Sequence, residues 1–232
     1  MIRQVFNRLR REEGGFTLVE LLVACIVGTI VLLATFMMLD TSVIQTGKVT
    51  DRVDRTQRAR TAMERITRNL RSQVCPVAGV PAIIAAQDYS VKFYAFMGSG
   101  QLVPDQVEIA WDTNTNSIVQ RTWTGTTPEP NTTFAATPKT STLLTDVRPT
   151  FVSGQSGPRG PVFRYYLGGS ATPLTTPLSA ANLNAMSKVD IRFMTYPQNR
   201  NAAGTSTTLQ SEVFSRTSDP NALSGTTAPE CA

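Results

Sequence analysis

The sequence predicts an α+β chain: one long N-terminal α-helix, with a transmembrane half and an amphipathic half, packed against an antiparallel β-sheet. Three observations carry this. A 24-residue apolar run, FTLVELLVACIVGTIVLLATFMML, spans Phe16–Leu39. Downstream, Val49, Val53, Ala59, Ala62, Ile66, Leu70 and Val74 recur mostly at three- or four-residue intervals, the stripe of an amphipathic helix. From about Tyr89 the period becomes two: Val91, Phe93 and Ala95 alternate with Lys92 and Tyr94, as on a half-buried strand.

Residues 1–15 are a polar, basic leader with four Arg and two Glu, ending in Gly14-Gly15. Residues 16–39, as a helix, would be about 36 Å long, enough for a hydrocarbon core of about 30 Å. The only ionisable side chain in this stretch is Glu20. The Arg cluster ahead of it predicts a single pass with the N-terminus cytoplasmic and the body exported. Residues 40–75 continue the helix past a polar boundary at Asp40-Thr41-Ser42. Arg52, Arg55, Arg58, Arg60, Arg65, Arg68 and Arg71 occupy its other faces, and Asp51/Arg55 and Asp54/Arg58 have the supporting i,i+4 order. Gly47 costs up to about 1 kcal/mol relative to Ala and reads as a flex point. Cys75-Pro76 ends the helix, because proline cannot continue it.

Residues 76–232 read as the β-rich globular domain. DQVEIAW, DTNTN and SIVQRTW form a strand–turn–strand hairpin. Further strands are expected at Leu143–Val152, Pro161–Leu167, Lys188–Tyr196 and Leu209–Ser215. The Thr/Ser/Pro/Gly/Ala-rich stretches 124–142, 168–186 and 198–208 read as long surface segments.

The net charge of +5 invites an anionic partner, but its placement argues otherwise. Residues 40–74 hold eight Lys/Arg against four acids, whereas from Cys75 onward there are ten of each sign. The basic excess therefore sits beside the membrane segment. The Arg face of the helix could bind DNA, yet no aromatic residues interleave with it to stack on bases. A solvated or subunit-contacting face is the plainer reading. With no His, the commonest general base and metal ligand are missing. The acids of the body show no telling pair. Gly98-Ser99-Gly100 and Gly157–Gly160 lack the strand-to-helix setting of a phosphate loop. No catalytic residue, metal or cofactor is expected, and the chain does not read as an enzyme.

Cys25, Cys75 and Cys231 have no zinc-like spacing. In an exported body a Cys75–Cys231 disulfide would close a loop of about 155 residues and contribute about 2–4 kcal/mol. Two unpaired thiols are the alternative. Cys25 reads as a small buried residue of the span.

Three ordinary readings of the apolar run compete. A secretory signal has an apolar region of about 7–15 residues and a small-x-small cleavage site, which is absent. Leu22-Val23-Ala24-Cys25 fits a lipobox, but cleavage there would leave Ile26–Leu39, another apolar stretch, where a polar tether is needed. A plain single-span anchor fits the length but explains neither the carboxylate nor the paired glycines.

Gly14-Gly15-Phe16-Thr17-Leu18-Val19-Glu20-Leu21-Leu22-Val23 closely resembles the signal of type IV prepilins and type II secretion pseudopilins. The resemblance implies cleavage by prepilin peptidase between Gly15 and Phe16 and N-methylation of Phe16. It also implies a pilin fold and assembly with other pilins or pseudopilins through the helix. Glu20 matches the family's glutamate at the fifth mature position, where pairing with the amine of a neighbour's Phe16 would set the register. The implied route runs from the inner membrane into a pilus or pseudopilus. The Arg-rich RARTAMERITRNLR followed by strands and a late VDIRFMTY is similar to minor pilins of the PilW type and J-type pseudopilins, whose family role is a tip or priming complex. The alternatives are a DNA-binding competence pilin, or a single-span membrane-anchored protein or lipoprotein of other function.

Overall fold

The computed structural model describes residues 17–76, 80–97, 103–127, 132–151, 160–196 and 206–215. The chain divides into two compact units, residues 1–50 and 51–232. Helix α1, Leu18–Arg71, contributes to both, and Gly47 lies within it.

In the second unit α1 buries Ala59, Ala62, Met63, Ile66, Asn69 and Leu70. This is the expected stripe with Met63 and Asn69 added. Val53 is 51% exposed, so the buried face begins only near Ala59. The helix ends at Arg71, ahead of the expected stop at Cys75. Ser72 Oγ donates to the Asn69 carbonyl, Gln73 bridges to Ala95, and the Val74 amide donates to the Tyr94 carbonyl. Sheet pairing satisfies these groups before proline has to break the helix. The expected Asp54–Arg58 ion pair forms at 2.8 Å, whereas Arg55 donates to the backbone carbonyl of Asp51.

Among the described residues, nine strands form two antiparallel sheets where the alternation suggested one. The first is a meander of β1 (Ile83–Ala86), β2 (Ser90–Ala95), β3 (Asp105–Asp112), β4 (Ser117–Trp123) and β5 (Lys139–Leu144). The second centres on β8 (Met186–Thr195). On one side β8 pairs with β7 (Phe163–Leu167) and the short β6 (Val147–Arg148), and it also pairs with β9 (Thr207–Phe214). A six-residue helix α2, Ala180–Ala185, starts on the hydroxyl of Ser179.

The expected hairpin is β3–β4. Asp112 accepts from the Asn114 amide and the Thr115 hydroxyl, and Asn116 adopts φ 49°. Those hydrogen bonds hold the Asp112 carboxyl below its usual pKa. The single strand expected at 143–152 is broken, because Asp146 turns the chain at φ 57° between β5 and β6. Asp tolerates that left-handed geometry better than most residues.

The two sheets and the helix share one core. Ile66 and Leu70 of α1 pack in a cluster that holds Phe93 and Ile109 from the first sheet and Phe163 and Ile191 from the second. Polar contacts fix the register. Asn69 Nδ2 donates to Gln120 Oε1 at 2.9 Å, and Ser215 Oγ donates to Gln73 Oε1 at 3.3 Å. The Tyr165 hydroxyl reaches the carbonyls of Gln87 and Ser90 at 3.0 and 3.1 Å, joining β7 to the β1–β2 turn. Burial pushes that phenol's pKa well above its usual value.

Asp190 on β8 lies opposite Arg164 and Glu212 in the strand register. It is 3% exposed, and its Oδ1 has no hydrogen-bond partner among the described residues. Burial raises its pKa above the usual carboxylate value. The hydrogen bond to Gln210 opposes this rise, and the nearby Glu212 charge adds to it. The folded state therefore favours the protonated acid. Stability from this group is present at low pH and is lost as pH rises from about 3.9 through the raised native value. Asp190→Asn is expected to remove that loss: urea melts from about pH 3 to 7 should show the variant gaining on the wild type with rising pH. A constant difference would show that Asp190 does not titrate in this way.

Candidate functional site: the apolar N-terminal helix

Gly14, Gly15 and Phe16 lie outside the described residues, as does Cys231. The site begins at Thr17. Its hydroxyl accepts from the Glu20 amide at 3.3 Å and its carbonyl from the Leu21 amide at 3.1 Å, which is N-cap behaviour. Thr17-Leu18-Val19-Glu20 has the Thr-x-x-Glu spacing of a capping box, a signal that the apolar run hid from the sequence reading. Glu20 sits in the first turn, where the helix dipole favours a negative charge.

Every residue from Thr17 to Thr50 is exposed within the chain. Leu18 is 80% exposed, Met38 76% and Phe36 69%, so the apolar surface of the first unit has no cover of its own. Cys25 is a free thiol on this exposed surface, which corrects its reading as a buried residue of the chain. The helix is long and apolar enough to cross a membrane.

The hydroxyls of Thr29, Thr35 and Thr41 are satisfied within the helix. Thr29 Oγ1 donates to the Cys25 carbonyl at 2.7 Å, Thr35 Oγ1 to Leu32 and Val31, and Thr41 Oγ1 to Met37. A hydroxyl that bonds the preceding turn leaves no bare donor facing lipid. Glu20 is thus the single charge on an otherwise lipid-compatible surface.

At the far end of the helix, Cys75 is disulfide-bonded. Six of the seven Arg of the amphipathic half are exposed, and Arg55 is partly buried. Among the described residues, no three His, Cys, Asp or Glu side chains come together as metal ligands would.

The family described as the prokaryotic N-terminal methylation motif matches residues 10–36. That stretch holds the paired glycines, Phe16, the Thr17 cap, Glu20 and most of the exposed apolar surface. No curated protein matches the chain. The motif marks a structural protein, and it implies processing by prepilin peptidase and assembly with other pilins. An uncovered apolar helix bearing this motif is suited to membrane anchoring. The chain therefore carries the N-terminal signal of type IV pilins and pseudopilins, on a long helix packed with antiparallel β-sheet.

Proposed function

We propose that the chain is a minor pilin-like subunit of a type IV pilus or type II secretion pseudopilus. It is inserted in the inner membrane with its N-terminus cytoplasmic and its β-rich body exported. Prepilin peptidase cuts between Gly15 and Phe16, Phe16 is N-methylated, and the freed helix moves from bilayer to filament. Glu20 sets the register against the Phe16 amine of a neighbouring subunit, and Cys75 pairs with Cys231.

The observation that carries this reading is the uncovered apolar surface from Leu18 to Leu39, most of it within the methylation motif. Such a surface needs lipid or other helices around it. Sustained helix through Leu22–Cys25, with more apolar helix after it, favours this over a Cys25 lipid anchor.

Intact mass and N-terminal sequencing of the protein from cells with active prepilin peptidase test the proposal. The expected product begins with N-methyl-Phe16 and lacks residues 1–15. An intact N-terminus, or a product beginning at acylated Cys25, would overturn it.

A further inference from the structure

We propose that the outward face of the five-stranded sheet is a glycan-binding platform that takes an extended, neutral β-1,4-linked polysaccharide. The site is separate from the assembly helix, and the inference does not depend on the pilin reading.

The alternation that buries Val91, Phe93, Val107 and Ile109 turns their neighbours to the opposite face. Strand register then aligns two rows there. Tyr94, Gln106 and Trp123 form one row across β2, β3 and β4, and Lys92, Glu108 and Arg121 form the next. Phe134 joins the first row from the β4–β5 connection, stacked on Tyr94 with centroids 5.8 Å apart and planes 29° apart. The connection is built to place it. Gly125 bridges to Phe134, and its amide donates to Asp105 Oδ1 at 3.0 Å. A Cβ at Gly125 would collide with the Pro104 carbonyl and the Val103 side chain.

Trp123 is partly exposed, and the Lys92 ammonium lies 4.2 Å from its ring centroid. Its indole N–H makes no hydrogen bond among the described residues. The other tryptophan, Trp111, donates to the Val147 carbonyl at 2.9 Å and belongs to the fold.

Rings flanking planar hydrogen-bonding groups match the chemistry of a sugar chain. Its C–H faces stack on aromatics, and its hydroxyls reach the amide of Gln106 and the Glu108–Arg121 pair. Tyr94 and Trp123 stand two strands apart, about 9.5 Å at ordinary strand spacing, close to the disaccharide repeat of an extended β-1,4 chain. A polyanion fits less well. Binding one draws on several unpaired cations, whereas Arg121 is neutralised by Glu108 at 3.0 Å and the chain from Cys75 onward has ten charges of each sign.

The test uses the full-length chain in a zwitterionic detergent without a sugar headgroup. Probes are microcrystalline cellulose, insoluble chitin and a single-stranded DNA oligomer. Wild type is expected to be retained on a polysaccharide, with Trp123→Ala weakening retention at least tenfold and Trp123→Phe restoring most of it. Thermal melts confirm folding, and Gln106→Ala provides a second variant should Trp123→Ala melt early. Passage of the wild type through both polysaccharides would overturn the proposal, as would equal retention of folded Trp123→Ala. Retention on DNA alone, lost with Trp123→Ala, would assign the face to nucleic acid and overturn it as well. Loss of glycan binding would leave Phe16 processing untouched, so this failure is distinguishable from failure of the pilin reading.

Discussion

Glu20→Ala is expected to leave the level of membrane-inserted protein unchanged and to cut its incorporation into filaments at least a hundredfold. In lipid a mid-span acid costs about 2.5–3.5 kcal/mol, and less near a helix end, so losing it does not impair insertion. In the proposed filament core the carboxylate would face the amine of a neighbour's Phe16, so removing one partner would strand the other. Breaking a buried pair costs about 3–5 kcal/mol, which is about two to three and a half decades in an assembly constant. The Thr17 cap offers a rival role, since Glu20 stands at the third position of a capping box. Glu20→Gln separates the two. Glutamine keeps the capping chemistry and loses the charge, so it should fail like alanine if pairing is the role. Thr17→Ala removes the cap oxygen and keeps the charge, at about 0.5–2 kcal/mol of helix stability. Sheared filaments and membranes, immunoblotted side by side with prepilin peptidase active, give the answer. Normal incorporation of Glu20→Gln would end the register role and leave the cap in its place.

The membrane half of the chain was legible because one physical demand governs it: a long apolar run has few other uses. The limits of periodicity show at the second half of the helix. Val49 and Val53 share the apolar stripe with Ala59 and Ile66 yet stay exposed, since a stripe tells which face is apolar and not what covers it. Strands β2 and β3 alternate and were readable, and β4 was readable as the partner of β3 across the DTNTN turn. Strand β1 was not, because Ile83-Ile84-Ala85-Ala86 is apolar throughout and shows no period. Strand pairing is a non-local property, so one sheet and two sheets look alike in sequence. Local turn chemistry has the same limit. Asp146 gives little warning of the left-handed turn that divides β5 from β6. At the candidate site, Glu20 stood out as a lone charge in an apolar run, whereas the cap formed by Thr17 needed the helix start to be fixed first.

Cys75→Ser is expected to lower the melting temperature of the exported domain by about 4–16 °C. Cys75 is disulfide-bonded and Cys25 is a free thiol. We assign the partner as Cys231, which lies outside the described residues. Linking them closes a loop of about 155 residues, and disulfides typically contribute about 2–4 kcal/mol by restricting the unfolded chain. For a domain of this size each kcal/mol moves the melting point by about 2–4 °C. The near end of the link is held by the fold. Cys75 follows Gln73 and Val74, which are already bonded to Ser215 at the end of β9 and to Tyr94 in β2. The two cysteines act as one unit, so Cys231→Ser should reproduce the shift and the double variant should add nothing to it. Cys25→Ser should leave the melt unchanged. Peptide mapping without reductant should recover a fragment joining the Cys75 and Cys231 peptides, and reductant should bring the wild type down to the variants. A bond between subunits would instead appear as a dimer on a non-reducing gel. Alkylation of both thiols before reduction, or a Cys231→Ser protein that melts with the wild type, would refute the pairing.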